Sequence, residues 1–244
     1  MKLTTKITVA CAVLAATSGA FAQKAGDNIV SVGIASINPD TSLGKLTSTS
    51  SDATTAGYFT GKLANATATV GSETTVSVGW LHMYTDNMGV ELTLGLPPEV
   101  TQDLYSPATG NHPGAAKIKI WTPTVVGKYF FNTPADKWRP YIGFGVSQVS
   151  FHNVKVNTAD QTVNALGSTS ASFSSSLTPV YTLGTIYNID EKWSVSAAVA
   201  YLPIKTTATF NGPGATAPVN YPVTTTGEAK LNTTDYVIRL GYRF

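Results

Sequence analysis

Large apolar residues recur at every second position in eight stretches of the chain, with small or polar residues between them. The first begins at Asn28, with Val30, Val32 and Ile34 on one face and Ser31, Gly33 and Ala35 on the other, and Asn38-Pro39-Asp40 closes it. In the second, Val76, Val78, Trp80 and His82 oppose Ser77 and Gly79; in the third, Val90, Leu92, Leu94 and Leu96 oppose Glu91, Thr93 and Gly95. A fourth, over residues 117–131, sets Val125, Gly127, Tyr129 and Phe131 against Thr124, Val126 and Lys128. Trp138 launches the fifth, where Ile142, Phe144 and Val146 oppose Gly143, Gly145 and Ser147. Tyr181, Leu183, Thr185 and Tyr187 mark the sixth, and Trp193, Val195, Ala197, Val199 and Tyr201 the seventh. The eighth ends the sequence with Tyr236, Ile238, Leu240, Tyr242 and Phe244 on one face. A strict period of two predicts strands.

The connections alternate in length. Short turns fall at 85–89, 132–137 and 188–192, while long Thr-, Ser-, Gly- and Pro-rich loops fill 41–73, 98–116, 152–174 and the stretch around Asn211-Gly212-Pro213-Gly214. Their composition predicts mobile loops. The last strand is aromatic at both ends and aliphatic in the middle, which suits a bilayer, because Tyr prefers the headgroup level and Leu and Ile prefer hydrocarbon. About ten residues is also the reach of a tilted membrane strand. The pattern predicts an all-β fold, an eight-stranded antiparallel transmembrane β-barrel with short periplasmic turns and four long extracellular loops. A soluble sandwich with an exposed edge strand is the competing arrangement.

Composition supports the barrel. Residues 1–22 combine Lys2 and Lys6, an apolar run and the small-residue ending Ala20-Phe21-Ala22, the anatomy of a cleaved signal peptide, leaving 23–244 as the barrel domain. Cys11, the only cysteine, lies in that leader without the residues that mark a lipoprotein, so the exported domain has neither disulfides nor thiolate metal ligands. Without Lys2 and Lys6 the domain carries 14 basic and 14 acidic residues, and no basic patch invites nucleic acid. Charged residues make up only 12% of the chain, yet no apolar run of about twenty follows the leader. An exported, weakly charged chain without a spanning helix points to a closed barrel, which satisfies its backbone between strands.

Three segments carry a family resemblance. Residues 85–92 (TDNMGVEL), residues 137–145 (KWRPYIGFG) and the ending Gly241-Tyr242-Arg243-Phe244 together resemble the OmpW family of small outer-membrane barrels. The terminal strand, with Tyr236, Ile238, Leu240, Tyr242 and Phe244, is similar to the signal read by the outer-membrane assembly machinery. The resemblance implies a place in the outer membrane of a Gram-negative bacterium, contact with its lipids, and passive uptake of small hydrophobic molecules through a narrow lumen. Eight strands leave an interior only just wide enough for side chains, so a wide aqueous pore is not expected.

The inward-facing residues define the candidate chemistry. Glu91, Lys128, Arg139, Arg239 and Arg243 gather toward the periplasmic end and form a candidate lumen floor, which either blocks straight passage or simply packs a filled barrel. Gly79, Gly95, Gly145, Ser147 and Ala200 form a small, uncharged candidate cavity above it. A solute blocked below must leave sideways. Pro97, Pro98 and Pro123, at the outer ends of the third and fourth strands, form a candidate lateral exit, since proline donates no ladder hydrogen bond, although prolines also merely end strands. Pro203 is a weaker site of the same kind. The three histidines, His82, His112 and His152, stand near no recognisable nucleophile motif, so neither catalysis nor a cofactor or metal is expected. A barrel that only anchors the envelope or presents its loops remains the alternative to transport, and a lipid-modifying enzyme the weaker one.

Overall fold

The computed structural model describes residues 23–214 and 221–244. The expected leader, with Cys11, and residues 215–220 of the fourth long loop lie outside the described residues. In chain order the elements are β1 (Asn28–Leu43), β2 (Thr47–Ser50), α1 (Ala53–Lys62), β3 (Thr67–Val70), β4 (Glu73–Met83) and β5 (Met88–Gly95). There follow β6 (Glu99–Ser106), β7 (Gly110–Trp121), β8 (Thr124–Phe130), β9 (Trp138–Val156) and α2 (Gln161–Gly167). Last come β10 (Ser170–Phe173), β11 (Ser176–Asn188), β12 (Trp193–Gly212) and β13 (Val223–Arg243).

Eight strands, β1, β4, β5, β8, β9, β11, β12 and β13, pair antiparallel in that order, and β13 pairs back onto β1 to close the ring. Closure removes the sheet edges that a bilayer would leave unsatisfied. The pleat then sorts side chains as the alternation predicts. Val32, Ile34, Phe144, Leu183 and Ile238 are each at least half exposed on the outer wall, while Ser77, Glu91, Lys128 and Arg239 are buried inside. Among the described residues no helix is long and apolar enough to cross a membrane.

Three expectations need correction. β1 does not stop at Asn38-Pro39-Asp40 but continues to Leu43; beyond Ile37 it pairs with β13 alone, and such an open side tolerates proline. The fourth strand is not continuous over 117–131. It breaks at Thr122-Pro123 into β8, which belongs to the ring, and β7, which pairs with β6 and β9 beyond it. The long loops are not featureless either. The first holds β2, α1 and β3, the second is the β6–β7 hairpin, and the third holds α2 and β10. Thr- and Ser-rich segments form these extensions because a polar ladder in water needs paired backbone groups and little apolar burial. Both helices start on an aspartate cap, Asp52 accepting from the Thr55 N–H at 2.7 Å and Asp160 from the Val163 N–H at 3.0 Å.

The two helices meet over the extracellular end. Phe59 and Leu63, on and just after α1, pack with Leu46, Ala165, Leu166 and Val223, so α1 and α2 roof the barrel.

Candidate functional site: the barrel lumen

Glu91 on β5, Lys128 on β8 and Arg239 on β13 point inward from three strands and meet. Lys128 Nζ donates to Glu91 Oε2 at 2.7 Å, and Arg239 Nη1 donates to Glu91 Oε1 at 3.0 Å. Arg239 also donates to Ser77 Oγ from Nε at 3.1 Å and from Nη2 at 2.7 Å. The Lys128 ammonium stands 4.3 Å from the centroid of the Tyr141 ring. Gly79 makes room for the guanidinium: a Cβ there would lie 2.8 Å from both Arg239 Nη1 and Ser31 Oγ. In this confined interior the charges are tolerated because each is paired and hydrogen-bonded.

Beneath this trio lies an apolar layer of Ile29, Leu81, Met83, Phe130 and Ile186. Beneath that, Arg139 is fully buried and donates to the backbone carbonyls of Gln23 and Asp86. Residues 23–27, ahead of β1, cross the periplasmic mouth as a strap. Gln23 Nε2 donates to Asn188 Oδ1 at 2.7 Å, the Ala25 N–H to Asp86 Oδ1 at 2.9 Å, and the Gly26 N–H to the Met83 carbonyl at 2.8 Å. Arg243 secures the same strap through Asp27 Oδ2 at 3.1 Å and also reaches the Glu191 carbonyl. The five charges expected as one floor thus form three groups: Glu91 with Lys128 and Arg239, Arg139 among carbonyls, and Arg243 with Asp27.

Above the trio is a chamber of about 100 Å³ lined by Thr93, Gly95, Ala200, Asp235 and Val237, with the trio as its base. Asp235 Oδ1 is buried there without a hydrogen-bond partner among the described residues. Val126, Val149, Val180, Leu202 and Ile204 pack together inside the barrel, and Val126, Val180 and Leu202 also line the chamber. A second cavity, about 60 Å³, is walled by Leu43, Val100, Ile118, Phe151 and Phe210 among others and lies under the helical roof. Of the small residues predicted to line one cavity, Gly95 and Ala200 border the chamber, while Gly79 sits among the floor charges and Gly145 pairs with Val126. Ser147 is buried in the wall, accepting from Thr124 Oγ1 at 2.9 Å and donating to the Pro123 carbonyl at 3.2 Å. The apolar space therefore lies higher than those residues, in strand extensions and loops.

The backbone ladder between β5 and β8 is interrupted. Their ladder stops at Thr93 opposite Thr124, and above it the Ile120 N–H donates to the Pro98 carbonyl at 3.2 Å. Between these points Leu94, Gly95, Leu96 and Pro97 face Trp121, Thr122 and Pro123, and no ladder joins them among the described residues. Each side is held by its other neighbour: the Leu96 N–H donates to the Val76 carbonyl at 3.1 Å, and the Gln148 N–H to the Pro123 carbonyl at 3.0 Å. Gly95 and Thr122 also line the chamber, so the gap borders it. Pro97 and Pro98 stand on one edge and Pro123 on the other, whereas Pro203 sits in register with Asn232 in an unbroken β12–β13 ladder.

Residues 24–244 match the sequence model of the OmpW family. The chain belongs to the OmpW family. It is 29% identical to outer membrane protein W of Salmonella typhimurium over 98% of this chain and 99% of the relative. It is 24% identical to outer membrane protein AlkL of Ectopseudomonas oleovorans over 74% of this chain and 70% of the relative. Among solved structures, the outer membrane protein OprG from Pseudomonas aeruginosa is similar with a TM-score of 0.76 and 28% identity, covering 92% of this chain and 99% of that one. The chain is thus an OmpW-family β-barrel of the Gram-negative outer membrane.

In this OmpW-family barrel the histidines are held apart. His82 Nδ1 is 3.0 Å from Asn28 Oδ1 near the periplasmic rim, and His152 on β9 pairs with Lys119. His112 is buried on β7, with Nδ1 2.7 Å from Asp160 Oδ2 and Nε2 2.8 Å from Thr109 Oγ1. It ties the β6–β7 hairpin to the cap of α2. Burial pushes the Asp160 carboxyl up, but the Val163 N–H and His112 outweigh it and hold it below the usual carboxylate range. Sequence reasoning missed the strap at Gln23 and the roof contacts of Phe59 and Leu166. Polar residues ahead of the first strand and isolated apolar residues in a Thr- and Gly-rich loop carry no periodic signal.

Proposed function

We propose that this barrel takes up small hydrophobic molecules passively, holding them in the upper apolar cavity and releasing them sideways into the membrane between β5 and β8. The observation that carries the reading is the interrupted ladder above Thr93 and Thr124, which borders the lumenal chamber at Gly95 and Thr122. An apolar solute gains about 25 cal/mol per Å² of surface removed from water, which favours the cavity under α1 and α2. The way straight down is unfavourable. It passes the Glu91–Lys128–Arg239 trio, the layer around Phe130 and Met83, and the Arg139-held strap. The side opening presents Leu96 and Trp121, both exposed on the outer wall, and so leads into hydrocarbon.

Gly95→Trp tests this directly. A Cβ at Gly95 would meet the Val76 carbonyl at a tight 3.3 Å and Thr75 Cγ2 at 4.0 Å, so the strand must give by a few tenths of an ångström, and a heat-modifiability shift first verifies that the variant folds with its indole in the chamber beside the gap. Liposomes carrying the folded variant should take up a hydrophobic fluorescent probe about tenfold more slowly than those with the natural protein, equivalent to about 1.4 kcal/mol added to the barrier. Unchanged uptake from a normally folded Gly95→Trp barrel removes the channel reading in favour of a structural or receptor barrel.

A further inference from the structure

We infer that the lipid-facing wall holds one acyl chain of a glycerophospholipid in a recess at Gly127. On the outer face, Leu92, Val125 and Val146 form one row across β5, β8 and β9, and Met88, Tyr129 and Ile142 form another two residues nearer the periplasm. In the row between, Val90 and Phe144 flank Gly127, which has no side chain. The result is a recess of about 570 Å³, open on the lipid side and bounded by Tyr84, Met88, Val90, Tyr129, Ile142 and Phe144. Neither crowding nor backbone conformation requires the glycine, since a Cβ there would meet only the Phe144 carbonyl at an ordinary 3.6 Å.

The occupant follows from chemistry and position. Lys128, beside Gly127, turns inward to Glu91, so its charge does not face the recess, whose hydroxyls come from Tyr84, Thr85 and Tyr129. Tyr84 lies next to a periplasmic turn, where aromatic side chains mark the headgroup level. The recess is continuous with the lipid-contacting wall and lies just inside that belt. Lipid is as apolar as the wall, so shape and dispersion contacts rather than the hydrophobic effect hold the chain there. A flexible methylene chain fills a notch that rigid neighbouring side chains leave empty. The recess also lies on the β5–β8 seam, on the periplasmic side of the ladder gap. If that gap releases solute, as proposed above, the seated chain is the first lipid the solute meets; the chain site itself does not depend on uptake.

The test uses the folded full-length protein reconstituted with chain-deuterated phosphatidylethanolamine, extracted into mild detergent and weighed by native mass spectrometry. The natural protein should retain phospholipid. Gly127→Leu should reduce retention about tenfold, Gly127→Ala less, and Ala197→Leu, on the opposite outer wall, not at all. A heat-modifiability shift verifies folding, and Gly127→Ala carries the test if the leucine variant fails to fold. Equal retention by the natural protein and the Gly127 variants overturns the inference, as does an equal loss from Ala197→Leu. Retention of an added aliphatic solute in place of phospholipid overturns it too. Gly95→Trp should retain lipid normally even if it abolishes uptake, which separates this inference from the channel reading.

Discussion

Glu91 accepts from both Lys128 and Arg239, so removing it strands two cations in the lumen, whereas removing Lys128 leaves Glu91 paired with Arg239. Breaking a buried pair by deleting one partner costs about 3–5 kcal/mol when the remaining charge is uncompensated. Glu91→Ala should therefore destabilise the folded barrel by several kcal/mol and Lys128→Ala by distinctly less. Guanidinium unfolding in detergent, followed by tryptophan fluorescence, checks the order; equal losses would mean that the trio does not share its charge through Glu91. Alternation placed these side chains inside, because their parity opposes the lipid-facing one. It could not show that Arg139 and Arg243 stand apart from them, since that depends on the stagger between strands and on a strap ahead of the first strand.

At the scale of elements, the roof depends on α2, a helix of seven residues whose cap Asp160 is tied to β7 by His112. The Asp160 carboxyl is held below its usual range in the folded state, so its contribution is fully present above the unfolded value of about 3.9 and is lost as pH falls through the folded value. Amide exchange in α2, corrected for intrinsic rates, should stay slow down to about pH 4 and accelerate below it. Asp160→Ala should loosen α2 at neutral pH by about 1 kcal/mol, the usual cost of a lost N-cap. Exchange in α2 that ignores both changes would show that Val163 and Leu166 packing alone holds the roof. The strands were legible where one face meets lipid. The roof was not, because Thr- and Gly-rich segments lack a helical period, and α1 is held chiefly by its cap and by Phe59 and Leu63.

At the scale of the whole molecule, the terminal strand closes the ring: Val30 pairs with Tyr242, Ile34 with Ile238, and β12 flanks the other side. Tyr242 and Phe244 are exposed at the periplasmic rim, and we propose that they serve as an assembly signal. Tyr242→Ser and Phe244→Ser should each lower the folded, heat-modifiable yield in cells several-fold, while Ser194→Ala inside the lumen should not. Gly241 is unsuitable as the lumenal comparison, since a Cβ there would lie 2.8 Å from Ser194 Oγ. Equal yields from all three variants would remove the terminal strand as an assembly signal.

The period-two pattern determined the strands and the side each turns to lipid, because a strand with lipid on one side must sort its side chains at every step, and the leader and weakly charged composition turned that pattern into a barrel. It also carried the family, through the turn at 85–89, the start of the fifth strand and the chain's last residues. Only the tertiary structure decided that Pro97, Pro98 and Pro123 flank a break in the β5–β8 ladder, that the inward charges are split, and that the apolar cavity lies above the small residues. Each of these depends on which residues of distant strands meet across the lumen. Strand stagger and loop packing set those meetings, and a pattern read along one chain does not contain them.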